Sequence, residues 1–360
     1  MKKIFLTTIA LLSMASASVF GMYGVDSDWI FFLTHGNQFQ VRLETLGFTL
    51  GNDMIKGTFG FDNPYSFGDM LQVPANGDAK FIPNMSMGIG YTSSAIGIGV
   101  GYTMSFGDKV PIYKGKVTPK NQLQLGHTPV LVLNALDNAL RIAVPIQVYQ
   151  KSDKTPVREY KDTAVSMDAQ IRYYTGLDML PQIRWFGHYD TENKVANATT
   201  KSKAETFGFD FRLWFGSMVE EVALQPIVKI QFNTALGKNH NTTRIQAINI
   251  LKGSQTVNGV LKNDKNPYTL NIIPALGISA NSDIVSLYLE PSLGLKITGS
   301  QYKNVKEAYD LGYGVYGEIY ITPVKNVEWY LEASIGNLDA NTKGVSFAGS
   351  TGITWYLPAL

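Results

Sequence analysis

The stretch from Thr206 to Thr234 constrains the fold more than any other. Phe207, Phe209, Phe211, Leu213 and Phe215 share one parity, while Gly208, Asp210, Arg212 and Trp214 share the other. After a turn expected at Ser217, Met218 and Val219, Val222, Leu224, Val228, Ile230 and Phe232 alternate with Glu221, Gln225, Lys229 and Gln231. A period of two over about ten residues is a strand signal, and about ten residues is also what a tilted strand needs to cross a bilayer. In a soluble sandwich the apolar parity would face a core. In a membrane barrel it would face lipid, with the polar parity turned to the lumen.

The pattern recurs along the chain. Candidate strands are 54–61, 84–92, 95–106, 128–136, 139–150, 162–175, 178–189, 204–216, 220–234, 268–280, 283–298, 311–322, 326–337 and 344–357. Short turns at Ser93 and Ser94, Asp137 and Asn138, Gly176 and Leu177, Asn281 and Ser282, and Pro323 to Lys325 interleave with longer polar segments. Those segments are 62–83, 107–127, 151–161, 190–203, 235–267 and 299–310. Sorting of short and long connections to opposite sides is the asymmetry of an outer-membrane barrel with periplasmic turns and extracellular loops. Residues 29–34 and 38–50 read either as a strand pair, giving sixteen strands, or as two helical segments, the first capped by Ser27 or Asp28 and ended by Gly36, giving fourteen.

Charge placement agrees with lipid as the outer solvent. Arg172, Arg184, Arg212, Lys229 and Lys296 all fall mid-strand on the polar parity. Each would cost about 2–4 kcal/mol on the lipid face at the bilayer midplane. Against the barrel stand Pro145, Pro181, Pro226, Pro274 and Pro291 within candidate strands, where bulges or interrupted pairing are required. The chain also closes on Leu360 rather than on an aromatic residue.

Lys2 and Lys3, the apolar run Ile4 to Leu12 and the small residues Ala15 to Ser18 form a secretory leader, with cleavage expected after Ala17 or Gly21 and a single barrel domain over 22–360. There is no cysteine, so no disulfide or N-terminal lipidated Cys is available. The 34 glycines, 18 phenylalanines, 19 tyrosines and 17% charged residues suit a lipid-facing wall better than a solvated sandwich. A net charge of +2 gives no reason to expect a nucleic-acid partner.

Chemistry is sparse. Gly97, Gly99 and Gly101 lack the following helix that a phosphate-binding loop needs, and read as small residues facing the lumen or a crowded wall. His188 and Asp190 share a face, as a hydrolytic pair would, but a solvated strand end is the simpler explanation. His240 has no neighbouring ligands for a metal. No enzymatic activity, cofactor or metal is therefore expected. The candidate lumen-lining residues are Asp168, Arg172, Asp210, Arg212, Lys229, Glu290, Lys296, Glu318, Glu328 and Glu332, which could set selectivity or simply neutralise one another. Neither sign dominates among them, so no ion preference is expected. Trp185, Trp214, Trp329, Tyr330, Trp355 and Tyr356 are candidates for interfacial girdles.

Four stretches carry a resemblance: GMYGVDSDWIFFLTHGNQFQ from Gly21, LGFTLGN from Leu46, IKGTFGF from Ile55 and GITWYLP from Gly352. In these the chain resembles, over its full length, the variable surface protein family of Brachyspira spirochaetes. The resemblance implies a surface-exposed protein of the cell outer membrane implicated in antigenic variation. Expected partners are outer-membrane lipid, host antibodies or surface ligands at the extracellular loops, and a second copy of the chain as a candidate neighbour. The alternative to an antigen is a general diffusion porin for small hydrophilic solutes or ions.

Overall fold

The computed structural model describes residues 28–43, 45–62, 84–106, 122–155, 158–195, 201–219, 222–236, 265–300, 304–337 and 345–358. The leader expected at 1–21 and His240 lie outside them. One 3-10 turn, Asp28–Phe31, precedes β1 (Gln38–Arg42), β2 (Thr45–Gly51), β3 (Ile55–Asp62), β4 (Asn84–Thr92), β5 (Ile96–Phe106) and β6 (Gln122–Ala135). There follow β7 (Leu140–Thr155), β8 (Arg158–Tyr174), β9 (Gln182–Val195), β10 (Lys201–Trp214), β11 (Ser217–Val219) and β12 (Val222–Leu236). The chain ends through β13 (Tyr268–Asn281), β14 (Val285–Gly299), β15 (Ala308–Val324), β16 (Val327–Gly336) and β17 (Ser346–Tyr356).

Every pairing is antiparallel, and β1 pairs with both β2 and β17, so the sheet closes on itself. β10 and β11 pair with successive parts of β12 and form one stave interrupted at Phe215 and Gly216. The result is a barrel of sixteen staves. Closure leaves no open edge, which is the condition for a sheet to exist in lipid.

Sixteen is the larger of the two expected counts, but its first pair is built differently. Trp29–Thr34 is not a strand, and 38–50 is not one strand but two, β1 and β2, the first ending at Arg42 and the second beginning at Thr45. The reason is in the pattern. Phe39, Val41 and Leu43 keep one parity while Leu46, Phe48 and Leu50 keep the other, so a straight strand would carry one set into the lumen. Trp29 to Leu33 are apolar at every position and cannot alternate at all. They are buried inside the barrel instead.

Three connections also differ from expectation. Ser217–Val219 is strand, paired with Val222–Leu224, rather than a turn. The polar segments 151–161 and 190–203 largely continue as strand, with β7 and β8 paired out to Thr155 and Arg158 and β9 and β10 out to Val195 and Lys201. Beyond lipid both faces meet water, so polar residues on both parities do not end a strand. The turn expected at Gly176 and Leu177 spans Thr175 to Pro181, with Gly176 at φ 75° and the Leu177 N–H donating to Thr175 Oγ1 at 3.0 Å. That leaves Pro181 outside the strands.

The other prolines interrupt pairing as required. The β6–β7 ladder passes from His127–Val148 to Val130–Pro145, and the β7–β8 ladder from Ala143–Gln170 to Ile146–Met167. Around Pro274 and Pro291 the β13–β14 ladder has similar gaps. A register shift lies between Ile321 and Val324, next to Pro323.

Side chains sort as lipid demands. Phe39, Ile89, Ile98, Val100, Leu131, Leu289, Leu293 and Ile353 are exposed around the outer wall. Gln38, Gln40, Thr103, Gln147, Ser166 and Ser279 are buried on the inner one. Where an outward residue is polar it is satisfied locally: Trp329 Nε1 donates to Thr351 Oγ1 at 2.8 Å, and Thr351 Oγ1 donates to the Tyr330 carbonyl at 2.8 Å. Trp329 and Trp355 are exposed on the outside, whereas Trp214 and Tyr330 are buried inside, so only part of the expected aromatic set can form a girdle.

Candidate functional site in the lumen

Asp168, Arg172, Asp210, Arg212, Lys229, Glu290, Lys296, Glu318, Glu328 and Glu332 all occupy the inward parity of their strands. In an up-and-down barrel, order along the chain becomes position around the wall. Asp168 and Asp210 stand among the bases and Lys296 among the acids, but a run of bases and a run of acids occupy different arcs.

Five bases stand side by side in register. Arg141 of β7 pairs with Arg172 of β8, Arg172 with Arg184 of β9, Arg184 with Arg212 of β10, and Arg212 with Lys229 of β12. Direct cross-strand neighbours lie about 4.5–5.5 Å apart at Cβ, so like charges placed this way repel. Aromatic faces and a few carboxylates relieve the repulsion. The Arg184 guanidinium lies 4.2 Å from the Trp214 ring centre, and its Nη2 donates to Gln182 Oε1 at 3.1 Å. Arg212 grips Asp210 through Nε at 2.9 Å and Nη2 at 2.6 Å, while Lys229 pairs with Glu290. Arg172, 4% exposed, is left with Nε and Nη1 without acceptors.

The next arc of wall, β14 to β16, is acidic and rich in tyrosine. Tyr288 pairs in register with Glu318, and Glu318 with Glu332. Glu318 accepts from Tyr316 at 2.5 Å and Tyr320 at 2.8 Å. Tyr288 donates to Glu290 at 2.5 Å, Tyr316 to Glu332 at 3.1 Å, and Tyr356 to Glu328 at 3.1 Å. These phenols satisfy buried carboxylates that would otherwise be costly. Between the basic and acidic arcs lies a cavity of about 530 Å³, bounded by Arg184, Arg212 and Lys229 on one side and Glu290, Glu318 and Glu332 on the other. Some of these charges neutralise one another, as Arg212 does with Asp210 and Lys229 with Glu290, while others gather by sign on the two sides of the cavity.

The third element of the lumen was not anticipated. Trp29, Ile30, Phe31, Phe32 and Leu33 form a buried cluster with Val130, Val132 and Ala143 on the inner wall. Glycine makes room for it. A Cβ on Gly101 would meet the Trp29 ring at 2.3 Å, one on Gly90 would meet Leu33 Cδ2 at 2.2 Å, and one on Gly99 would meet Leu33 and Phe32 at 3.1 and 3.2 Å. Gly88 pairs with Gly101 and Gly90 with Gly99, so β4 and β5 present a bare patch of backbone as the seat. The crowded-wall reading of the glycine run is thus correct, and what crowds it is the N-terminal segment.

Polar contacts fix that segment at the end of the barrel where the short turns lie. Arg141 Nη1 donates to Thr34 Oγ1 at 3.2 Å, Lys56 donates to the His35 carbonyl, and Gln38 Nε2 lies 2.8 Å from His35 Nδ1. Asn37 Nδ2 donates to the carbonyls of Gly51 at 2.9 Å and Pro358 at 2.7 Å. The His35 imidazole is held below its ordinary pKa by burial first, then by the positive charges of Lys56, Arg141 and Arg42.

Elsewhere, His188 stands in register between Asp168 and Gly208, and Asp190 Oδ2 accepts from Thr206 Oγ1 at 3.0 Å. No group of three or more metal-ligating side chains occurs among the described residues.

Comparison with known proteins places the chain. Among solved structures, the outer-membrane expressed OmpT of Vibrio cholerae is similar at a TM-score of 0.33 and 11% identity, over 89% of this chain and 97% of that one. No curated protein sequence matches. The family described as Serpulina hyodysenteriae variable surface protein matches residues 2–356. The chain belongs to that variable surface protein family.

Proposed function

We propose that this protein is a surface antigen of the outer membrane, carrying no chemistry of its own, whose barrel holds variable connections out to the host. The observation that carries this reading is the distribution of connections. All the long ones, 63–83, 107–121 and 237–267, leave the same end of the barrel. The end opposite has tight turns such as Ser93 to Ala95 and Lys325 to Asn326, together with the start of β1 and the close of β17. With the tight end in the periplasm, antibodies or host ligands meet the long connections. Antibody raised against a peptide of residues 237–264 should bind intact cells. Binding only after the outer membrane is opened would overturn the reading.

A second reading, a solute pore, is favoured by the charged cavity between the two arcs of wall. Stepwise conductance of the refolded protein in a planar bilayer supports it, and silence from correctly inserted protein contradicts it.

A further inference from the structure

The cavity bounded by the two charged arcs has a definite chemistry. Its bases are Arg184, Arg212 and Lys229 on β9, β10 and β12, and its acids are Glu290, Glu318 and Glu332 on β14, β15 and β16. The two sets are equal in number, so the side chains that line the cavity carry no net charge among themselves. They are separated around the wall, so it does offer a field across its width. A field without net charge favours a neutral solute that itself carries separated charges. We infer that this cavity binds a small zwitterion, an amino acid or short peptide, with the carboxylate toward Arg184 and Arg212 and the ammonium toward Glu318 and Glu332.

Size and surroundings agree. About 530 Å³ falls within the range of small-molecule sites. Guanidinium groups suit a carboxylate, Arg212 being held in position by Asp210, and carboxylates already held by tyrosine hydroxyls are fixed in place to receive an ammonium group. Ser292 and Ser350 add neutral hydrogen-bonding groups to the lining. Tyr316 holds Glu318 and Glu332 on their own arc, and Tyr288 holds Glu290 where it meets Lys229. Separation of the two signs is therefore built into the wall.

This inference rests on the pore reading in requiring solute to reach the lumen, and the two are tested apart. Trp214 lines the cavity and lies over Arg184, so its fluorescence reports occupancy whether or not the barrel conducts. The refolded mature protein is titrated with glycylglycine, N-acetylglycine, glycylglycinamide and N-acetylglycinamide, which carry both charges, the negative, the positive and neither. The Trp214→Phe variant identifies the signal. Glycylglycine should bind about fivefold tighter than any of the other three. Arg212→Gln should bring it level with glycylglycinamide, and Glu332→Gln should bring it level with N-acetylglycine, each variant being checked for heat-modifiable migration. Equal affinity for the four probes in the unmodified protein overturns the inference, whatever the variants do. Swelling of protein-loaded liposomes in glycylglycine and N-acetylglycinamide then reads the pore separately: a Trp214 response without swelling leaves a binding site in a closed barrel, and swelling without the response leaves a pore with no such site.

Discussion

The Phe31 ring centre lies 4.1 Å from the Arg172 guanidinium, so the segment inside the barrel is fastened to the β7–β8 end of the basic ladder. Arg141 approaches the same ring at 5.4 Å. A desolvated contact of this kind contributes about 2 kcal/mol, and truncating a buried Phe to Ala costs about 3–5 kcal/mol. Phe31→Ala should therefore unseat the segment while leaving the sheet intact. Hydrogen exchange over residues 29–37 should accelerate by at least about tenfold, with heat-modifiable migration unchanged. Unchanged exchange would show that the seat does not depend on Phe31.

The glycine seat makes the complementary prediction. In Gly101→Ala the added carbon meets the Trp29 ring at 2.3 to 2.8 Å, and a flat ring packed against backbone has little room to move. Trp29 should become accessible to acrylamide, measured as the difference between this variant with and without Trp29→Phe. Gly36→Ala, whose Cβ would meet nothing within 4 Å, should leave Trp29 protected.

Acid should loosen the segment as well. His35 is half-buried, and the charges that act on it, Lys56 of β3, Arg141 of β7 and Arg42 of β1, are all positive. Its pKa is therefore lower in the seated segment than in a released one, where about 6.5 is expected. The seated form binds fewer protons, so seating is fully stable above that value and weakens as pH falls below it. The protection factors of residues 29–37, which remove the intrinsic pH dependence of amide exchange, should fall between pH 7 and pH 5, and His35→Gln should remove that fall. Protection factors independent of pH in the unmodified protein would contradict the assignment.

Leu289 and Tyr288 are neighbours on β14 with opposite surroundings, one 46% exposed on the outer wall and the other 9% exposed beside Glu290. Leu289→Arg should lower stability in lipid by about 2–4 kcal/mol. Tyr288→Arg places its charge among Glu290 and Glu318 and should be tolerated better. Urea unfolding in lipid vesicles measures both, and equal losses would undo the inner and outer faces.

The strands were legible because lipid and a wet lumen impose strict alternation. Parity alone was enough to turn the ten charges from Asp168 to Glu332 inward. The two runs, Arg141, Arg172, Arg184, Arg212 and Lys229 and then Glu290, Glu318, Glu328 and Glu332, lie in chain order but are broken by other charges such as Asp168, Asp210 and Lys296, and they become visible only when sequence order is read as position around a wall. The ladder from Arg141 to Lys229 needed the registers, because moving any hairpin pairing by one residue breaks it. The inner segment was not legible. Trp29 to Leu33 has no period, and its seat, Gly88 to Gly101, lies far along the chain. Strand ends are not legible where β7 to β10 leave lipid, since alternation ceases there before hydrogen bonding does.

The absence of cysteine allows the central claim, that the long connections face outward, to be measured with single introduced thiols. Asn304 lies at the long-connection end before β15 and Ser94 in the tight turn between β4 and β5, and both are exposed. A membrane-impermeant maleimide added to intact cells should label Asn304→Cys and leave Ser94→Cys unlabelled until the outer membrane is opened. Labelling of Ser94→Cys in intact cells with Asn304→Cys protected would invert the barrel and contradict the account.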